Sequence, residues 1–133
     1  MTDILVQYVV NERNAVPRGL RIDRDGTAYR PAPNNPPPER TARLDRARTD
    51  LQWQAVKRLE PATLDSVMAA LRAADFFALP PQLLINYCKD DPPAGIWQVS
   101  LDGQSAQVVV FDPRPKRNAA LDVLLATLEA VLA

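Results

Sequence analysis

The sequence predicts an α+β fold: an antiparallel sheet of hairpins with two amphipathic helices covering one face. Three observations carry this. Short alternating runs flank Asp25-Gly26, a second pair of runs flanks Asp102-Gly103, and two later segments repeat apolar residues at helical spacing. Hairpins make antiparallel pairs, and amphipathic helices must bury their apolar stripe against such a sheet. At 133 residues, 47% of them hydrophobic, the chain has the size of one domain and enough apolar side chains to form a core without disulfides or metal. Residues 1–133 are therefore expected to form a single domain, with a Pro-rich loop at 31–38.

Ile4 to Val10 is rich in β-branched and aromatic residues, and its apolar residues fall on both faces, as in a central strand. Asn11 to Pro17 is turn chemistry. Leu20–Asp23 and Thr27–Tyr29 form a hairpin around Asp25-Gly26, where glycine accepts positive φ without steric cost. Pro31, Pro33, Pro36, Pro37 and Pro38 cannot continue a sheet or helix, so this stretch reads as an extended, exposed, polyproline-like loop. Residues 39–59 admit two readings, a Pro-started helix or a strand over Trp53–Leu59, and the alternation around Trp53 favours the strand.

Pro61 at a helix start, followed by Leu64, Val67, Met68 and Leu71, predicts a helix ending near Asp75. A second hairpin pairs 96–101 with 106–111. A closing helix runs from about Asn118, a good N-cap residue, with Leu121, Leu124, Leu125, Leu128 and Leu132 on one face.

Composition narrows the chemistry. Lys+Arg and Asp+Glu both number 16, whereas a nucleic-acid binder normally carries a basic excess. The absence of histidine removes Ser-His-Asp and Cys-His catalysis and every His-based metal site. Cys88, the single cysteine, cannot form an internal disulfide. Met1–Val6 lacks a basic n-region and no apolar run is long enough to span a bilayer, so a cytoplasmic location is expected, with no membrane, nucleic acid or cofactor involved.

Each candidate site has a plain alternative. Asp23-Arg24-Asp25-Gly26 opens like a calcium loop, but the pattern is not continued and a hairpin turn is the better reading. Cys88 beside Lys89 is a candidate reactive thiol, and Asp90-Asp91 candidate paired carboxylates, each without convergent partners in the sequence. Arg114, Lys116 and Arg117 precede the last helix, where cations and free helix N–H groups suit an anion. Arg40, Arg43, Arg46 and Arg48 are offset by Glu39, Asp45 and Asp50, as in a solvated, charge-balanced segment. Pro36, Pro37 and Trp53 are candidate contacts for a protein partner, because Pro-rich segments and tryptophan recur in such interfaces.

Two stretches carry a family resemblance. Ile22-Asp23-Arg24-Asp25-Gly26-Thr27-Ala28-Tyr29 resembles the first hairpin of a group of small bacterial domains of unknown function, and Leu71-Arg72-Ala73-Ala74-Asp75-Phe76-Phe77-Ala78-Leu79-Pro80 resembles the helix end in that group. The second stretch is also similar to the same place in emfourins, small cytoplasmic inhibitors of thermolysin-like metalloproteases. The order of closing hairpin and helix agrees as well. Emfourin-like chains usually carry Gly-Gly-Phe after the first strand, where this chain reads Asn14-Ala15-Val16-Pro17-Arg18-Gly19; the other group often has cysteines there, and this chain has none. The insertion from Pro31 to Asp50 is also longer, and no inhibitory residue carries over.

These observations make a non-enzymatic protein-interaction domain the leading expectation, with inhibition of a protease or other enzyme as its specific form. The alternative is a small-molecule or anion-binding domain using the loop before the last helix. A carboxylate- or thiol-dependent enzyme built on Asp91 or Cys88 ranks third.

Overall fold

A computed structural model describes residues 3–83, 93–111 and 119–133. Strands β1 (Ile4–Asn11), β2 (Arg18–Asp23), β3 (Thr27–Pro31) and β4 (Trp53–Arg58) precede helix α1 (Pro61–Ala73). A 3-10 turn at Phe76–Ala78 and the short strand β5 (Gln82–Leu83) lead to β6 (Ala94–Leu101), β7 (Gln104–Phe111) and helix α2 (Ala119–Leu132). The strands form one sheet in the order β4-β3-β2-β1-β6-β7-β5. Every pairing is antiparallel except that of β5 with β7. The fold is thus the α+β class that the hairpins and helical repeats predict. No helix among the described residues is long and apolar enough to cross a membrane.

β1 sits at the centre, paired with β2 on one side and β6 on the other. Because successive side chains in a strand alternate between faces, Val6, Tyr8 and Val10 point to the helices. There they join Leu20 and Ile22 of β2, Trp97 and Val99 of β6, and Val108 and Val110 of β7. Val67 and Leu71 of α1 and Leu121, Leu124 and Leu128 of α2 close this layer. Its aromatic centre is Trp97, which lies 4.4 Å from the Tyr8 ring and 6.5 Å, edge-on, from Phe76. Phe76 is fully buried directly after α1, where Asp75 turns the chain at φ 51°. Filling that position with a ring anchors the helix end to the sheet; deleting a buried phenylalanine typically costs about 3–5 kcal/mol.

The opposite face carries a row of polar side chains. Register aligns Tyr29, Arg21, Gln7, Gln98 and Gln107 across β3, β2, β1, β6 and β7. Gln7 Nε2 donates to Gln98 Oε1 at 2.8 Å, and the Arg21 guanidinium lies 5.1 Å from the Tyr29 ring centre. Arg21 also forks onto the fully buried Asp23 carboxylate, at 2.7 and 3.1 Å. Further along this face, Leu44 caps Ala94, Ile96 and Val109, with Ala47 and Phe111 at the rim. The connection between β3 and β4 therefore serves as a second, partial covering layer.

One expectation needs correction, and the choice left open over residues 39–59 is resolved. Pro31 does continue the sheet: it ends β3, opposite Trp53, a place where a missing N–H is tolerated. Trp53–Arg58 is a strand and residues 39–52 hold no helix, so the alternation around Trp53 outweighs the Pro-started helix. β5 has no sequence signal; only its pairing with Val109 and Val110 defines it.

Candidate interaction surface and ligand groove

The Pro-rich connection is fastened at four places. Asn35, 3% exposed, donates through Nδ2 to the carbonyls of Ala32 and Gln52, both at 2.9 Å, and accepts from the Gln52 N–H at 2.8 Å. Asn11 at the end of β1 donates through Nδ2 to the carbonyls of Leu44 and Arg46, at 3.0 and 3.1 Å. Arg13 donates to the carbonyls of Glu39 and Ala42. Arg48 donates to the carbonyl of Pro36 at 2.9 Å while forking onto Asp50. Within the expected exposed loop at 31–38 Asn35 alone is buried, and beyond it Leu44 and Leu51 are buried too, because the asparagines replace the backbone partners that a loop otherwise takes from water. Pro33, Asn34, Pro36 and Pro37 remain exposed at the crest.

Trp53 opens β4 and is half-buried. Gln54 through Arg58 are all exposed, Val56 to 47%, and β4 has no neighbour on its outer side among the described residues. Asn35 binds Gln52, so the exposed Pro36 and Pro37 follow directly from a residue tied to the start of this edge.

The arginines of 40–48 divide between structural tasks. Arg43 forks onto Asp45 at 3.1 and 2.7 Å, and Arg48 onto Asp50 at 3.1 and 3.0 Å. Hydrogen bonds from these guanidinium groups hold the Asp45 and Asp50 carboxyls below their ordinary range. Beneath them lies a pocket of about 200 Å³ lined by Asn11, Pro38, Glu39, Arg43 and Arg48, among others.

A larger groove of about 380 Å³ opens on the helix side, between the sheet and α2. Tyr8, Val10, Arg18, Gly19, Arg30, Leu125 and Glu129 line it. Gly19 lines it, and Gly95 lies against the Tyr8 side chain. A Cβ on Gly19 would lie 1.9 Å from the Tyr8 carbonyl oxygen, and one on Gly95 would lie 2.7 Å from the Tyr8 hydroxyl. Only glycine permits so close an approach in a strand. Tyr8 is 6% exposed, and its hydroxyl makes no hydrogen bond to the described residues. Burial pushes this phenol up to about 12, against the opposing pull of Arg18, so it stays a neutral hydroxyl at physiological pH. Arg30 is committed to Glu129 through a fork, at 3.1 and 2.5 Å, and also donates to the Gly19 carbonyl at 3.0 Å. Arg18 is half exposed and makes one long contact, 3.4 Å, to Glu12.

The residues singled out in the sequence separate accordingly. Pro36, Pro37 and Trp53 lie on the anchored crest and the adjoining edge strand. Arg114, Lys116, Arg117, Cys88, Asp90 and Asp91 lie outside the described residues. Asp23-Arg24-Asp25-Gly26 is a turn: Gly26 N–H donates to the Asp23 carbonyl at 3.0 Å, and the Asp25 carboxylate accepts the Thr27 N–H at 2.9 Å. That bond holds the Asp25 carboxyl below its ordinary range. The sequence reading does not identify the groove around Tyr8; glycines inside strands, Gly19 and Gly95, are its sequence signal. Comparison with protein families and with curated proteins finds no match to this chain.

Proposed function

We propose that the protein is a non-enzymatic interaction domain whose partner, a protein, docks on the crest at Pro36–Pro37 and the adjoining edge at Trp53, with enzyme inhibition as the form the interaction takes. The observation that carries this reading is the fastening of the crest by Asn35, Asn11, Arg13 and Arg48. A segment already held in one conformation loses little entropy when a partner closes on it. Proline adds to that rigidity, and a partly buried tryptophan beside it supplies the kind of anchor that dominates interface energetics. The resemblance of the α1 end to emfourins supports a protease as the target. The Arg43–Asp45 and Arg48–Asp50 pairs favour a protein over a nucleic acid, because they offset the local positive charge.

The test is affinity capture from native lysate with the wild type, a Pro36→Glu/Pro37→Glu variant, a Trp53→Ala variant, and a Val123→Glu control on the exposed side of α2. A stoichiometric partner retained by wild type and control but lost by the crest variants supports the reading, and a protease in that band whose activity falls on binding supports the inhibitor form. Absence of a stoichiometric partner, or one held equally by the crest variants, overturns it.

A further inference from the structure

The groove on the helix side, across the sheet from the Leu44 layer, assigns a second property to the molecule. Its lining combines an apolar wall, Val10 and Leu125, with the Tyr8 ring and two guanidinium groups. At about 380 Å³ it falls in the range of small-ligand sites. The hydroxyl of Tyr8, a side chain otherwise packed against Trp97, has no hydrogen-bond partner among the described residues. A hydroxyl that lines the groove in this way offers a donor that a ligand or water can complete.

Charge decides the ligand class. Arg30 is already forked onto Glu129, so their charges offset each other, while Arg18 keeps only a long contact to Glu12. The lining therefore holds one guanidinium that a ligand can engage, beside a neutral hydroxyl donor. Asp122 and Glu129 also act on Tyr8 through space, which disfavours a doubly charged anion. We propose that the groove binds a small organic monocarboxylate, its carboxylate taken by the Arg18 guanidinium and the Tyr8 hydroxyl, its apolar body resting against Val10 and Leu125. Gly19 and Gly95 are then binding determinants, since a side chain at either position would displace Tyr8 or the strand that carries it.

Phenylacetate is a suitable probe, titrated calorimetrically into the full chain beside benzyl alcohol, which lacks the charge, and inorganic phosphate, which lacks the apolar body. The expected result is saturable phenylacetate binding with a Kd of about 1 mM or tighter, and clearly weaker binding of both controls. Tyr8→Phe keeps the ring on Trp97 and removes only the hydroxyl, and Arg18→Gln changes a half-exposed side chain; each should weaken phenylacetate about tenfold or more. No saturable binding overturns the proposal. So does phosphate or benzyl alcohol binding as tightly as phenylacetate, or binding that survives both substitutions unchanged.

Discussion

Asn11 holds the carbonyl of Leu44 at 3.0 Å from the opposite end of a 33-residue span, and so fastens the Pro-rich connection to the central strand. The same amide reaches the Arg46 carbonyl, which fixes its orientation: the nitrogen faces two acceptors, and Oδ1 is buried without a partner among the described residues. Asn11→Ala removes two donors together with one unpaired acceptor and should cost about 1–2 kcal/mol. Asn11→Asp, nearly the same shape, turns a carboxylate toward two carbonyls and should cost at least about 2 kcal/mol more. Urea denaturation compares them, and hydrogen exchange should accelerate around 44–46 in both. Equal stability of the two variants would contradict the assigned orientation.

The Arg21–Asp23 pair leads to a second prediction. Asp23 is fully buried and Arg21 supplies its charge partner. Arg21→Ala leaves that carboxylate uncompensated and should destabilise by about 3 kcal/mol, whereas the double variant Arg21→Ala/Asp23→Ala should cost less than the sum of its parts. Additive effects in denaturation would show that the pair is not coupled.

Gly95 and Tyr8 should be coupled as well. A methyl group at 95 meets the Tyr8 hydroxyl at 2.7 Å and Cε1 at 2.8 Å, and the ring is held against Trp97. Gly95→Ala should cost about 1–3 kcal/mol through overpacking, and this penalty should largely vanish in a Tyr8→Ala background. Thermal unfolding of the four members of the cycle measures this; a penalty unchanged by the Tyr8 substitution argues against the contact.

Alkaline titration gives a fourth. Tyr8 has its folded-state pKa raised from 10.0 to about 12 by burial. Between those values the unfolded chain gives up the phenolic proton and the folded chain keeps it, so stability is unaffected below pH 10 and falls as pH rises toward 12, by roughly 1–3 kcal/mol in all. Tyr8→Phe should flatten that decline, and tyrosinate absorbance should lose its latest phase. A late phase that persists without Tyr8 would refute the assignment.

The sequence signals that proved informative are local. Asp25-Gly26 and Asp102-Gly103 set their hairpins through the turn residues themselves, and Pro61 with Val67 and Leu71 marks α1 through spacing alone. The relationships that escaped reading are long-range. Asn35 with Gln52, Asn11 with Leu44 and Arg13 with Glu39 turn a run of prolines into a covering layer, and no periodicity reports such contacts. β5 exists only because β7 pairs with it. The groove draws on β1, β2, β3 and α2, so Tyr8, Arg18, Arg30 and Glu129 have no shared motif. Pro36, Pro37 and Trp53 were legible because residue type alone marked them; their fastening was not.

The central position of β1 has a consequence for synthesis. Its partner on one side, β2, follows within a few residues, but Gln7 meets Gln98 across 91 positions. At ribosomal rates of about 5–20 residues per second, roughly 5–20 s pass before β6 emerges. Throughout that interval the strand bearing Val6, Tyr8 and Val10 keeps one ladder edge bare, and such an edge pairs readily with another chain. The duration of that exposure is set by translation speed, however quickly the first hairpins close.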